Sequence, residues 1–342
     1  MVRVIFFVVF LQLAGPVVAA NQSTDKAEML PQGSELINLN GRSLHIRKLG
    51  KPEISEPYLL LLSGPTDNWH SDTGWWALAQ NVLAEDHLTI AIDRAGHAWS
   101  ESIAEPSYHQ FGQDLASFIR RQQSPVILVA FASSNLSLHT LINDQEAAPF
   151  IQGAVLIDPD VLTDHSIKHY TTETEKYRQG WKGIEEFILS GKYDENMQRK
   201  IDDERAHLKS IIPAAFASYM DWNYYSAIEA IRNTREYQVE KFREVTHYRE
   251  DLLEAKRNPL PTNLPLVIID SDFETGYLPK IEDELIKASI VQWRDEGRDW
   301  FFELAQRSKC GAYWPLESQE HLIMMEQPEL IARAVEKLLQ CE

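Results

Sequence analysis

Pro125-Val126-Ile127-Leu128-Val129-Ala130-Phe131-Ala132-Ser133-Ser134-Asn135 is the stretch on which the fold turns. Its apolar run from Val126 to Phe131 is short and uninterrupted, which suits a strand buried on both faces. Small residues follow, and from Leu136 to Ile142 the apolar spacing becomes helical. Outward from this unit, Ser43 to Leu49, Tyr58 to Leu62, Leu88 to Ile92 and Ala154 to Ile157 repeat the strand pattern. Between them, the stretches around Trp75 to Leu83 and Tyr108 to Arg121 repeat the helical one. Such alternation predicts an α/β fold, a mostly parallel β-sheet covered by helices on both faces.

The rhythm breaks from about Leu162 to Lys256, where charge is dense and helical-period stretches such as Glu185 to Leu189 and Tyr237 to Phe242 replace strands. Pro259, Pro261 and Pro265 close this region, strand character returns at Leu266 to Ile269, and a last helix is expected from Pro328 to Leu339, with proline tolerated in its first turn. The expected organisation is a core of residues 35–161 and 262–342 interrupted by a helical insertion, 162–261.

At the N-terminus, Arg3 precedes an apolar run to Leu13, and Val18-Ala19-Ala20 supplies small residues for cleavage. Gln12, Gly15 and Pro16 interrupt the run before it reaches the ~20 residues of a membrane span, so residues 1–20 read as a secretory signal peptide and the mature protein as secreted or periplasmic. Residues 21–34 read as a flexible mature N-terminus. A formal charge of -18, from 51 acidic against 33 basic side chains, repels polyanions, so nucleic acid and anionic membranes are not expected partners; a small-molecule substrate or ligand is. Cys310 and Cys341 are the two cysteines, and export makes a disulfide between them expected. No residue pattern points to a cofactor, a metal or an oligomeric state. His165 and His169, four apart, have no third ligand motif nearby and read as solvated.

Three stretches together resemble the α/β-hydrolase superfamily over nearly the whole mature chain. Leu62-Ser63-Gly64-Pro65 stands where the family has a His-Gly pair before the oxyanion loop, and Asp93-Arg94-Ala95-Gly96-His97-Ala98-Trp99-Ser100 follows its Asp-Arg-Pro-Gly-His-Gly-x-Ser pattern. Backbone donors of that first loop must face the oxygen where charge develops; Pro65 has no N–H, which leaves Thr66 and, at the elbow, Ser133 as the oxyanion donors. The Asp93-Arg94 turn is expected to tie the loop down rather than react.

The stretch 125–135 stands at the family's Gly-x-Ser-x-Gly elbow, where the nucleophile sits on a strained turn between small neighbours. Centring the elbow on Ala132 puts Ala130 and Ser134 at the small positions but a methyl group at the nucleophile. Centring it on Ser133 supplies a hydroxyl but puts Phe131 and Asn135 where small residues belong. Sterics favour the first register, and both stay open.

Glu320-His321-Leu322-Ile323-Met324-Met325-Glu326-Gln327-Pro328-Glu329 resembles the family's histidine motif, which makes His321 the base. Leu266-Val267-Ile268-Ile269-Asp270-Ser271-Asp272-Phe273-Glu274 resembles its acid strand, which implies Glu274, with Asp272 as runner-up, as the carboxylate that orients the histidine. Asp158-Pro159-Asp160 ends a strand, where it could place a carboxylate near the site, and reads more naturally as the turn into the insertion. In the family such an insertion forms a lid, and Trp181, Tyr219, Trp222, Tyr224 and Tyr225 give this one aromatic rings for a cavity or for packing. Two functions remain open: an ester hydrolase, less readily an amidase, using Ser133, and a non-catalytic ligand-binding protein with Ala132 at the nucleophile point.

Overall fold

The structure is a computed structural model that describes residues 30–51 and 56–341. The expected signal segment and most of the expected flexible N-terminus lie outside the described residues. Eight strands form one sheet: β1 (Ser34–Leu39), β2 (Arg42–Leu49), β3 (Tyr58–Leu62), β4 (Thr89–Ile92), β5 (Val126–Phe131), β6 (Ile151–Ile157), β7 (Leu266–Asp270) and β8 (Ala312–Pro315), in the order β1-β2-β4-β3-β5-β6-β7-β8. The β1–β2 and β2–β4 pairs are antiparallel, and every pair from β4 to β8 is parallel.

Side-chain alternation explains the unbroken apolar runs. Leu59, Leu61, Ile127, Val129, Phe131, Val155, Ile157, Val267 and Ile269 point into one core. Leu60, Leu62, Leu128, Ala130, Ala154, Leu156, Leu266 and Ile268 point into the other. Strands covered on both faces need both sets apolar. The edge strand β1 is half exposed, with Glu35 and Asn38 among its side chains, so it lacks the run that betrays the central strands.

Helices α1 (Ala79–Leu83), α2 (Tyr108–Gln122) and α3 (Asn135–Leu141) belong to the first half of the core. Five helices, α4 (Asp164–Leu189), α5 (Asp194–Ile211), α6 (Trp222–Arg232), α7 (Arg235–Val245) and α8 (Tyr248–Arg257), follow one another between β6 and β7. Four more complete the chain: α9 (Phe273–Tyr277), α10 (Glu284–Arg307), α11 (Ile323–Glu326) and α12 (Pro328–Leu339). On α12, Leu330, Ile331, Ala334, Val335 and Leu338 form the helical-period stripe that packs on the first core, each large aliphatic residue contributing ~1.5–3 kcal/mol by burial.

Buried ion pairs fasten the insertion to the core. Arg94 donates to both oxygens of Glu244 on α7, at 2.7 and 2.9 Å, and also to the Ser63 carbonyl. Arg232 at the end of α6 grips Asp72 at 2.7 and 2.9 Å. Removing one member of such a pair strands its partner in a dry interior, at a cost of ~3–5 kcal/mol. The Asp93-Arg94 turn therefore supports the site: Asp93 accepts from the Thr73 N–H and hydroxyl and lies 2.6 Å from His45 Nδ1, while Arg94 holds the loop at Ser63. Cys310 and Cys341 are joined by a disulfide, with Cα atoms 6.0 Å apart, tying the loop after α10 to the end of α12. Among the described residues no helix is long and apolar enough to cross a membrane.

Candidate functional site

The backbone turns sharply at Ala132. Phe131 ends β5 in an extended conformation, Ala132 has φ +48°, and a short helical turn leads into α3. A left-handed conformation costs a residue with a Cβ about 1 kcal/mol or more, and it is held here because the surroundings dictate it. Gly64 approaches so closely that a Cβ on it would stand 2.8 Å from the Ala132 Cβ and 2.7 Å from the Ser133 nitrogen. Ala132 is therefore the residue on the left-handed turn after β5, and it carries a methyl group there.

Ser133, one residue on, faces elsewhere. Its hydroxyl lies 3.1 Å from the Tyr248 hydroxyl, which donates to Asp160 at 2.6 Å. Its backbone N–H begins the helical turn, where no intrahelical acceptor exists, and is the donor left at the elbow. Asn135 fixes the neighbouring loop through reciprocal bonds with the Asp160 backbone, 3.1 and 3.3 Å.

His321 pairs with Asp158: its Nδ1 lies 2.8 Å from the carboxylate. The carboxylate beside His321 is thus Asp158, where Glu274 or Asp272 was expected. Asp158 closes β6 at φ +44°, and its carboxylate is held from behind by the Ser271 N–H at 2.7 Å and the Ser271 hydroxyl at 2.6 Å. Asp272 is turned away, accepting from the Thr275 hydroxyl and the Ser318 N–H and pairing with Arg298 at 2.9 Å. Glu274 sits on α9, past the strand end, and has no hydrogen bond to His321. The Asp158-Pro159-Asp160 turn does lead into the insertion, and in doing so it aims a carboxylate at the histidine. Because β6 lies beside β5 in the sheet, a carboxylate at its C-terminal end reaches the same edge as the turn after β5; the strand-end position of Asp158 allowed this in the sequence, and the sheet order supplies the adjacency.

An ionised carboxylate only accepts, so the Asp158 contact puts the proton of a neutral His321 on Nδ1 and leaves the Nε2 lone pair open. Among the described residues Nε2 has no protein partner. The ring is held between Phe131 and Phe273, with centroids 4.7 and 4.2 Å away. Thr66, the other expected oxyanion donor, gives its N–H to the His70 carbonyl at 3.2 Å, but its hydroxyl is buried and unpartnered.

These groups share a chamber of about 460 Å³ whose wall includes Thr66, Ala132, Ser133, Asp158, Glu274 and His321. A second cavity of about 500 Å³ lies against Thr66, Phe273 and His321 from another direction. Burial pushes the Asp160 carboxyl up to about 6 against the Tyr248 and Ser133 hydrogen bonds. Burial, then the like charge of Asp158, pushes Glu274 up to about 8. Near neutral pH Glu274 is accordingly a carboxylic acid that can donate a hydrogen bond. His165 lies 3.4 Å from Glu296 and His169 stacks on Trp293 at 4.6 Å. Among the described residues no cluster of three or more histidine, cysteine or acidic side chains is arranged to hold a metal.

No protein-family model and no curated protein matches the sequence. The fold is nevertheless shared with solved structures at low identity. One is an alpha/beta hydrolase fold protein from Burkholderia ambifaria, TM-score 0.56, 15% identical over 88% of this chain and 96% of that one. Another is the epoxide hydrolase VrEH1 from Vigna radiata, TM-score 0.59, 14% identical over 90% and 97%. A third is the haloalkane dehalogenase DbeA from Bradyrhizobium elkani USDA94, TM-score 0.56, 17% identical over 88% and 95%. With the sheet order above, they establish the α/β-hydrolase fold.

Proposed function

We propose that this α/β-hydrolase-fold protein hydrolyses an ester-type bond of a small molecule by direct attack of water, without a covalent enzyme intermediate. The observation that carries the reading is the His321–Asp158 contact at 2.8 Å beside a methyl group at the nucleophile point. Nε2 removes a proton from water lodged at Ala132, and the oxygen–carbon bond forms as the carbonyl electrons move to oxygen. The Ser133 N–H and the Thr66 hydroxyl are the donors available to that oxygen. Asp158 stabilises the imidazolium, which returns its proton to the leaving alcohol as the ester bond breaks. General-base action of this kind contributes ~10²–10⁴-fold.

The proposal includes export, on the N-terminal signal pattern and a disulfide suited to an oxidising compartment. It also includes a lid role for the insertion, because Tyr170 and Tyr248, on α4 and α8, stand on the chamber wall.

A panel of activated esters assayed with the wild type, His321→Ala and Asp158→Asn tests the reading. Slow turnover without a burst, lost in His321→Ala, is the expected result. Absence of turnover in the folded wild type would overturn it in favour of the second reading, a non-catalytic ligand-binding protein. The specific observation on that side is the Thr66 N–H, tied to His70 rather than facing the chamber.

A further inference from the structure

We propose that the chamber selects an organic cation, a ligand carrying an ammonium group that rests on its aromatic wall beside Glu274. The inference names the ligand class of the site and depends on the proposed function only in placing the ligand there. Its first support is the wall itself. Trp69, Tyr248, Tyr170, Trp293 and Phe273 form a continuous series of ring contacts, with successive centroids 6.1, 6.2, 5.5 and 6.0 Å apart. All five rings border the chamber. Aromatic rings lining a chamber attract a quaternary or protonated amine through the ring quadrupole.

The second support is charge. Six carboxylate residues border the same space, and no lysine or arginine does. Five of the six already have partners in the protein. Asp158 is held by His321 and Ser271, Asp160 by Tyr248, Asp270 by Tyr313, Asp67 by Tyr277 and Glu173 by Lys176. Glu274 has no side-chain partner among the described residues. The nearby cation, Arg298, lies 2.9 Å from Asp272 and 4.0 Å from Asp270, so it is already matched. A neutral or anionic ligand leaves Glu274 protonated in the wall; a cationic ligand supplies the counter-charge that the protein lacks.

Binding is then linked to protons. Glu274 is faced by Asp158 at the end of β6, by Asp270 and Asp272 around the end of β7, and by Tyr170 on α4. His169, His321 and Arg298 are the other titratable or charged groups around it. With burial and like charge holding Glu274 up to about 8, a bound cation displaces its proton, and affinity rises as the solution becomes more alkaline.

Choline and its uncharged isostere 3,3-dimethylbutan-1-ol, titrated against wild-type protein and followed by tryptophan fluorescence, test the proposal. Trp69 and Trp293 are the chamber reporters. At about pH 8.5, choline is expected to bind about tenfold more tightly than the alcohol, a preference that shrinks toward pH 6.5. In Glu274→Gln the choline preference is expected to fall severalfold while the alcohol binds as before, which also shows that the variant is folded. An alcohol that binds as tightly as choline, or choline that does not bind, would overturn the proposal. Neither probe has an ester bond, so this outcome is independent of whether the protein turns over esters.

Discussion

The Ser133 hydroxyl lies 3.1 Å from the Tyr248 hydroxyl, so the serine nearest the elbow is tied to the insertion instead of to His321. In the proposed mechanism Ser133 acts through its backbone N–H. Ser133→Ala is therefore expected to keep kcat/KM for ester hydrolysis within about twofold and to cost ~0.5–1.5 kcal/mol of stability for the lost hydroxyl contact. Steady-state kinetics and a denaturant titration check both halves.

Asp158 and Glu274 should separate cleanly. Asp158→Asn can present an amide N–H to His321 Nδ1 and favour the wrong tautomer, so turnover is expected to fall by ~10³–10⁴-fold, comparable to His321→Ala. Glu274→Gln leaves the His321–Asp158 pair intact and should lose less than about tenfold. Asp272→Asn, which weakens the Arg298 pair and leaves one acceptor oxygen fewer for the Thr275 hydroxyl and the Ser318 N–H, should mainly lower thermal stability. Kinetics at a fixed pH, with melting temperatures alongside, distinguish the three.

Stability should decline on the alkaline side. Burial raises Asp251 to about 7, although it accepts the Tyr108 and His109 N–H groups at the start of α2, and Glu274 is raised to about 8. A carboxyl whose folded pKa exceeds its unfolded one contributes stability that is complete below the unfolded value and is lost as pH rises through the folded one. His70 and His139, both lowered to about 4 by burial, are neutral in the folded and unfolded states over most of this range. The melting temperature is thus expected to fall by several degrees between about pH 6.5 and about pH 9. In Glu274→Gln the fall should be smaller; an unchanged or rising melting temperature in the wild type would refute the assignment.

The Cys310–Cys341 bond closes a loop with a sequence separation of 31 residues. Loop-closure entropy puts its stabilisation at about 3–4 kcal/mol. Cys310→Ser with Cys341→Ser, or reduction, is expected to lower the melting temperature by several degrees and to leave ester turnover unchanged, since neither cysteine borders the chamber.

The central strands and His321 could be read from the sequence because each carries a local pattern. Val126–Phe131 is apolar on both faces because both faces are covered, and the His321 motif lies immediately before α12. Ser34–Leu39 escaped because an edge strand with one wet side has no such run. Asp158 was legible only as a strand-end carboxylate that could lie near the site: its contact with His321 depends on the adjacency of β6 and β5, a fact of sheet order that no window of residues contains. The small-neighbour rule leaves Ala132 and Ser133 as alternatives in the sequence, and the positive φ of Ala132 with the close approach of Gly64 is three-dimensional information that no residue pattern carries.

Fluorophosphonate labelling of the wild type and of Ala132→Ser tests most directly whether residue 132 is the nucleophile point beside a competent histidine. The expected result is no labelling of the wild type and labelling of Ala132→Ser that disappears when His321→Ala is added. Labelling of the wild type at Ser133 would contradict it.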